Sequence, residues 1–423
     1  MICQNPLTPE QIKLSQRNYL AFGAVNGASY MCLGETVIIL FAVRLESPNT
    51  LVAILGSMLY FGFLLLPLGK WMTSRVGAAQ SQADFWFMRN IAALVVALSA
   101  PAYLYWNKLS AMILLVTGAF FFYGFRAAGV VMSQPLLGEI CEPERRGKII
   151  SLHNTLFHIS GLASLVALTL VLKYFSSIWA LFGVIVVGAV MGTVAAGLVR
   201  NICETGLIKN SAKLPIAPML VKAFSDKPVR RQLLAGAVCN LMLILVLPIS
   251  VLTVKKGYHF SDTQALFCTL LQFAVMIGGS FIQSRLADWM GARNVFISGY
   301  AGLPLICISW LLLPSGAHPL LLGIPFIFCG LASITITNGT AFYFLATVKK
   351  ELQVAASMLI SVATGVLSGL AGMLSGSLLL KTAEKLSVNF GIDLFRSYFA
   401  MVLFLTLTGF FCIWMLPRTT RVK

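Results

Sequence analysis

Long apolar runs separated by short polar connections dominate the chain. The runs fall at roughly 18–44, 50–72, 84–106, 110–136, 148–173, 177–200, 231–254, 263–285, 291–313, 317–346, 353–380 and 393–416. An α-helix needs about 20 mostly apolar residues to cross the hydrocarbon of a bilayer, so each run predicts one membrane span. The runs are continuous instead of alternating with period two, which favours helices over a β-barrel. The expected fold class is an all-α integral membrane protein with twelve transmembrane helices in two six-helix halves. The halves are residues 1–200 and 231–423, joined by a linker over 201–230 that is polar, basic and broken by Pro215, Pro218 and Pro228. Within the linker, Met219–Phe224 predicts a short helix on the membrane surface.

Composition narrows the class further. The 423 residues are 58% hydrophobic and 11% charged, with a mean hydropathy of +0.87, whereas soluble domains average about 25% charged residues. That excludes a soluble enzyme and a secreted disulfide scaffold. The net charge of +17 could suggest a nucleic-acid partner, but the basic residues form no stripe interleaved with aromatics. They sit in the connections. Arg44, Lys108, Lys173, Lys255, Lys256, Lys381, Lys385 and Arg396 fall on one side and most of the rest on the other. The positive-inside bias then places both termini and the linker in the cytoplasm. The nine cysteines are scattered, with no CxxC and no Cys/His pairing at metal-ligand spacing, so buried thiols and no metal or other cofactor are expected. The polar start lacks the apolar core of a removable signal peptide. The expected location is a plasma membrane, such as a bacterial inner membrane, with a monomer in the lipid bilayer and no nucleic acid bound.

Two pairs of loops repeat across the halves. LGKWMTSRVGAAQ, after the second run, carries Arg75 and Gly77. QSRLADWMGARNV, after the eighth, carries Arg285, Asp288, Gly291 and Arg293. CEPERRGKIIS and KKELQVAAS form the second pair, with Glu144 opposite Glu351. Such self-similarity at half the chain length is the mark of a duplicated unit. With its twelve spans and central linker, the chain resembles the major facilitator superfamily of transporters. RLADWMGAR follows that family's G-x-L-a-D-R-x-G-R-K loop signature through Leu286, Ala287, Asp288, Gly291 and Arg293. The first copy has Ser74 where the signature has an acid. Pro143–Gly147 (PERRG) resembles a further recurrent feature. The resemblance implies alternating access, with spans one, four, seven and ten lining a central path. It also implies a cytoplasmic gate, for which Arg75, Gly77, Glu144, Arg145, Arg146, Arg285, Asp288, Gly291 and Arg293 are the candidates.

Ionised side chains inside a span cost about 2.5–3.5 kcal/mol on insertion scales and face a bundle interior or a watery cavity. Glu35 in the first span and Arg126 in the fourth are the two charges read as lying deep. Arg89 is counted with the cytoplasmic flank of the third. Candidate substrate ligands are Arg126, Asn26, Tyr30, Tyr123, Asn154, His158, Asn240, Gln272 and Asn338, with Tyr60, Thr337 and Tyr343 as further polar neighbours. Asn26 and Tyr30, like Asn154 and His158, are spaced i,i+4 and share a helix face. Glu35 or His158 could carry a coupling proton, because burial raises a carboxyl and histidine titrates near neutrality.

The expectation is a secondary active transporter for a small polar solute, anionic where Arg126 meets it, coupled to protons or another ion. No phosphate-binding loop argues for a primary pump, and no HExxH or nucleophile elbow for an enzyme. Export of amphipathic or drug-like cargo, and a non-transporting sensor on the same scaffold, stay open. The fifth span lacks the Gly-Pro pattern that resembles drug–proton antiporters. Gly365, Gly369, Gly372 and Gly376 form small-xxx-small pairs that predict close helix approach.

Overall fold

Among the described residues of a computed structural model, ten helices long and apolar enough to cross a membrane fall on ten of the twelve predicted spans. The structure describes all residues except 1, 4–5, 49–50, 52–54, 56–57, 59–60, 143–144, 176, 261, 315, 319, 391–392 and 418–423. Side chains at 35–36, 216, 255–256, 262–266, 284–288, 367–368, 373 and 390 are likewise outside the description. The eighth predicted span is the helix Asp262–Met290, with its apolar stretch at Phe267–Gln283. The second is described mainly at its end, Leu66–Val76. Among the described residues the architecture is all-α apart from one two-stranded parallel pairing of Ile2–Cys3 with Glu204–Thr205.

The chain divides into two compact units. The first comprises Met1–Glu142, Leu156–Leu220 and Lys349–Met358, and the second Pro143–Thr155, Val221–Val348 and Leu359–Lys423. The fifth span, Arg146–Tyr174, thus begins in the second unit and ends in the first.

In the first unit, a capping box starts the first helix. Gln11 N–H donates to the Thr8 hydroxyl while the Gln11 side chain accepts from Thr8 N–H, with Pro9 opening the first turn. The helix runs to Leu33, is interrupted at Gly34, and resumes as Glu35–Arg44. Its inner face joins a core built on Phe41, Leu45, Val96, Leu115, Phe122 and Ile185. Helices approach closely where residues are small: a Cβ on Gly27 would collide with the Phe157 carbonyl of the fifth span.

The second unit is organised around Trp310. Its ring stacks on Phe399 at 5.6 Å and meets Phe326 edge-on, while its indole N–H donates to Ser250 at 2.9 Å. Both units turn large apolar side chains outward, such as Leu64, Ile113 and Val190 in the first and Phe404 and Phe411 in the second. Lipid tails are as apolar as these side chains, so an outward apolar face carries no penalty in a bilayer.

Candidate functional site

Arg126 and Tyr30 meet inside the first unit. Arg126 lies on the fourth span, Lys108–Ile140, with its guanidinium carbon 4.6 Å from the centre of the Tyr30 ring. The Tyr30 ring is in turn 5.8 Å from Phe157. The guanidinium is half-buried and, among the described residues, forms neither hydrogen bond nor ion pair; the one ion pair among them is the exposed Lys108–Glu46 contact at 3.7 Å. A cation stacked on an aromatic face gains about 0.5–2 kcal/mol, but this leaves its N–H groups unanswered.

Tyr30 lies one helical turn before the interruption at Gly34, whose extended backbone (φ −66°, ψ 168°) ends one helix and starts the next. Non-helical backbone at membrane depth is tolerated where it is buried in protein or borders water. Glu35 is the first residue of the resumed helix, a position where a carboxylate is favoured by the helix dipole. Its side chain lies outside the description.

Arg89 changes the sequence reading. Counted as a flanking cation, it stands eleven residues into the helix Ala78–Tyr105, roughly 16 Å from its start, and is 1% exposed. The apolar run gave its start as residue 84, because Gln80, Gln82 and Asp84 hide the first turns of the helix. The guanidinium lies 4.9 Å from the centre of the Trp86 ring and 5.8 Å from that of Phe122. It donates to Asn26 Oδ1 at 3.3 Å, to Asn90 Oδ1 at 3.1 and 3.3 Å, and to Ser29 Oγ at 3.4 Å. All of these acceptors are neutral. Arg89 donates to Asn26 and Ser29 while Arg126 stands over Tyr30, so the two guanidiniums contact the same stretch of the first helix.

Asn26 is thereby occupied, since its carbonyl also accepts from the Trp86 indole at 2.9 Å. Tyr123 is buried with its ring edge-on to Phe122 at 5.1 Å. His158 is buried beside Phe157, ring to ring at 5.4 Å. Tyr60 lies outside the described residues.

The polar candidates of the second unit form a closed amide network. Asn338, 0% exposed, donates to Gln283 Oε1 at 2.7 Å and to Ser280 Oγ at 3.4 Å, and accepts from Asn154. Ser280 donates to the Ser151 carbonyl at 2.8 Å, and Gln283 to Thr335. Asn240 donates to the Thr364 carbonyl, in a π-helical turn over Ala363–Leu367. Tyr343 donates to Pro417 O at 3.2 Å, and Thr337 to Ser333 O at 2.8 Å. Gln272 is half-buried with no hydrogen bond from its side chain among the described residues.

The loop candidates are placed differently in each unit. Gly77 has φ +95° and precedes the third span. A Cβ there would be strained by the backbone and would meet Glu204 Oε1 at 2.5 Å. Glu204 comes from the linker, is buried, and accepts from Ala78 N–H at 2.8 Å and Ala79 N–H at 2.9 Å. Its carboxylate therefore caps the third span beside the loop in which Ser74 replaces an acid. Sequence reasoning missed Glu204, because the contact joins positions more than a hundred residues apart.

Burial, partly offset by these two N–H donors and reinforced by Glu139, pushes the Glu204 carboxyl up to about 7. Glu139 accepts from Thr205 N–H at 2.6 Å and its hydroxyl at 2.9 Å. Lys70 donates to the carbonyls of Ala212 and Leu214 at 2.9 and 2.6 Å, at the end of the linker helix Gly206–Lys213. The first stretch of the linker is thus stitched into the first unit. Arg75 is exposed and folded over its own Trp71 at 4.2 Å.

In the second unit, Gly291 has φ +79°. Arg293 caps the last span, donating to Trp414 O and Leu416 O at 2.7 Å each, the favoured place for a cation at a helix C-terminus. Arg146 donates to Leu345 O at 2.8 Å, and Arg145 is exposed. Glu144 lies outside the described residues, as do the side chains of Arg285 and Asp288.

Comparison with known proteins places this geometry. Residues 20–373 match the family model of the Major Facilitator Superfamily. No curated protein is a significant sequence match. A bacterial homologue of the iron transporter ferroportin, solved in an outward-facing state, is 16% identical with a TM-score of 0.72, covering 95% of this chain and 98% of its own. The proton:xylose symporter XylE is 14% identical with a TM-score of 0.69, covering 97% of each chain. The human organic anion transporter MFSD10 is 14% identical with a TM-score of 0.65, covering 96% of this chain and all of its own. At these identities the likeness concerns the fold, and the sequence match supplies the family. The chain, a multi-pass membrane protein built as a transporter and not as an enzyme, belongs to the major facilitator superfamily.

Proposed function

We propose that this transporter moves a small polar solute bearing a negative charge, by alternating access, and that Arg126 receives that charge. The carrying observation is a guanidinium within a membrane span with an aromatic ring beside it and, among the described residues, no carboxylate paired with it. A charge in such a place is retained where a partner arrives with the ligand. The interrupted first span supports the reading, because discontinuous helices with helix ends near mid-membrane form ligand sites in secondary transporters. Tyr30 lies between these parts of the site, 4.6 Å from the guanidinium carbon and 5.8 Å from the Phe157 ring. Among fold neighbours, MFSD10 is described as an organic anion transporter and XylE as a proton symporter.

Coupling to protons through Glu35 or His158 completes the proposal, with the linker and both termini on the cytoplasmic side of a plasma membrane. Reconstitution in proteoliposomes tests it. Anions accumulate when a pH gradient is imposed and Arg126 is present; uptake indifferent to both contradicts the reading. Equal uptake with and without the gradient removes the proton and leaves the anion.

A further inference from the structure

Two guanidiniums, Arg89 and Arg126, lie within membrane spans of the first unit. Arg89 is sealed among Trp86, Phe122, Asn26, Asn90 and Ser29. Arg126 stands over Tyr30, the residue next to Ser29, so both guanidiniums lie against one stretch of the first helix, and neither has an acidic partner among the described residues. Placing one uncompensated guanidinium in a membrane span is costly, and placing two is costlier. The oxygens of Asn26, Asn90 and Ser29 solvate Arg89 with dipoles but bring no negative charge. Its N–H groups point at those oxygens, so Arg89 is not available to grip a ligand. Its field is nevertheless present at Arg126, because charges in a low-dielectric interior act over several ångströms with little screening.

Resting on the anion reading above, we infer that the site takes a compact dianion in preference to a monoanion. Arg126 makes the contact, and Arg89 is a positioning residue that supplies the second positive charge from behind. The attraction between a ligand and this pair scales with ligand valence, so a second negative charge gains from both cations at once. Dicarboxylates and phosphate share this chemistry. A neutral or singly charged solute leaves the pair under-compensated.

The test uses purified full-length protein and matched probes at constant ionic strength, with thermal shift giving the apparent Kd. Succinate is compared with its monoamide, succinamate, which has nearly the same size and one charge fewer. Inorganic phosphate at pH 8 is the second dianion. In the wild type, succinate or phosphate binds about tenfold or more tightly than succinamate. A response to succinate alone marks a dicarboxylate site and to phosphate alone a phosphate site; either supports the inference.

Arg89→Lys keeps the preference, and Arg89→Gln lowers the ratio toward one while Arg126-dependent binding persists. A merely structural Arg89 would weaken both probes equally and leave the ratio unchanged, which overturns its assignment. Should Arg89→Gln fail to fold, the wild-type ratio and Arg89→Lys decide. Equal affinity for succinate and succinamate, with phosphate inert, overturns the dianion and leaves the anion reading standing. Absence of binding by all three, with a neutral solute bound instead, overturns both.

Discussion

The two units bury polar groups in opposite ways. In the second, Asn338, Gln283, Ser280, Asn154 and Thr335 answer one another's donors and acceptors, and among the described residues no charge enters the network. In the first, two guanidiniums sit among neutral acceptors and aromatic faces, one of them with its donors unanswered among the described residues. A closed amide network explains itself as a way for helices to recognise one another. An open cationic centre does not, because its cost stays until something negative arrives. Polarity in a membrane span is therefore a weak sign of a binding site, and uncompensated charge is a stronger one.

Substitution separates the two. Arg126→Ala is expected to lower anion uptake at least about 100-fold with little change in melting temperature, since among the described residues its one contact is the Tyr30 ring and no hydrogen-bonding group is stranded. Asn338→Ala should do the reverse. It orphans buried donors and acceptors on Gln283 and Asn154 at about 1–3 kcal/mol each, so thermal unfolding moves more than the substrate affinity of the folded fraction. A large stability loss from Arg126→Ala, or unchanged uptake, would erase the distinction.

Most of the scaffold was legible because the physics is local. Twenty consecutive apolar residues have one stable fate in lipid, and the loop signature around Gly77 and Gly291 reads as a tight turn that the positive φ values match. Arg126 and Tyr30 could be nominated singly, because charge and helical spacing are written in the sequence. That Tyr30 would lie under Arg126, and that Asn26 would be spent on Trp86 and Arg89, depends on how three helices pack. Arg89 was misplaced for a different reason. The polar residues at 80–84 shorten the apparent span, although inside a bundle they cost little when they face other helices. Glu204 was illegible because its role comes entirely from a loop far away in sequence.

Glu204 offers a smaller contrast between a buried anion that is answered and a cation that is not. Removing it as Glu204→Ala should cost about 1–2 kcal/mol, the worth of a helix cap, read by denaturation in detergent. Gly77→Ala should cost a similar amount, of order 1–2 kcal/mol, through backbone strain and collision with the same carboxylate.

The pH dependence has a definite sign. A carboxyl raised to about 7 in the folded protein holds its proton more tightly there than in the unfolded chain. Its contribution is fully present below the ordinary carboxyl range near pH 4.5 and is lost as pH rises through 7. Melting temperature should therefore fall between pH 5 and pH 7.5, and Glu204→Gln should flatten that slope. A wild-type profile that rises over the same interval would contradict the assignment.

The most direct measurement is the affinity of wild type and Arg126→Gln for an anion and for its uncharged amide, at matched ionic strength in a lipid nanodisc. The account predicts that wild type binds the anion far more tightly than the amide and that the variant loses this difference. Equal binding of both compounds by wild type, or an anion preference that survives in Arg126→Gln, would contradict it.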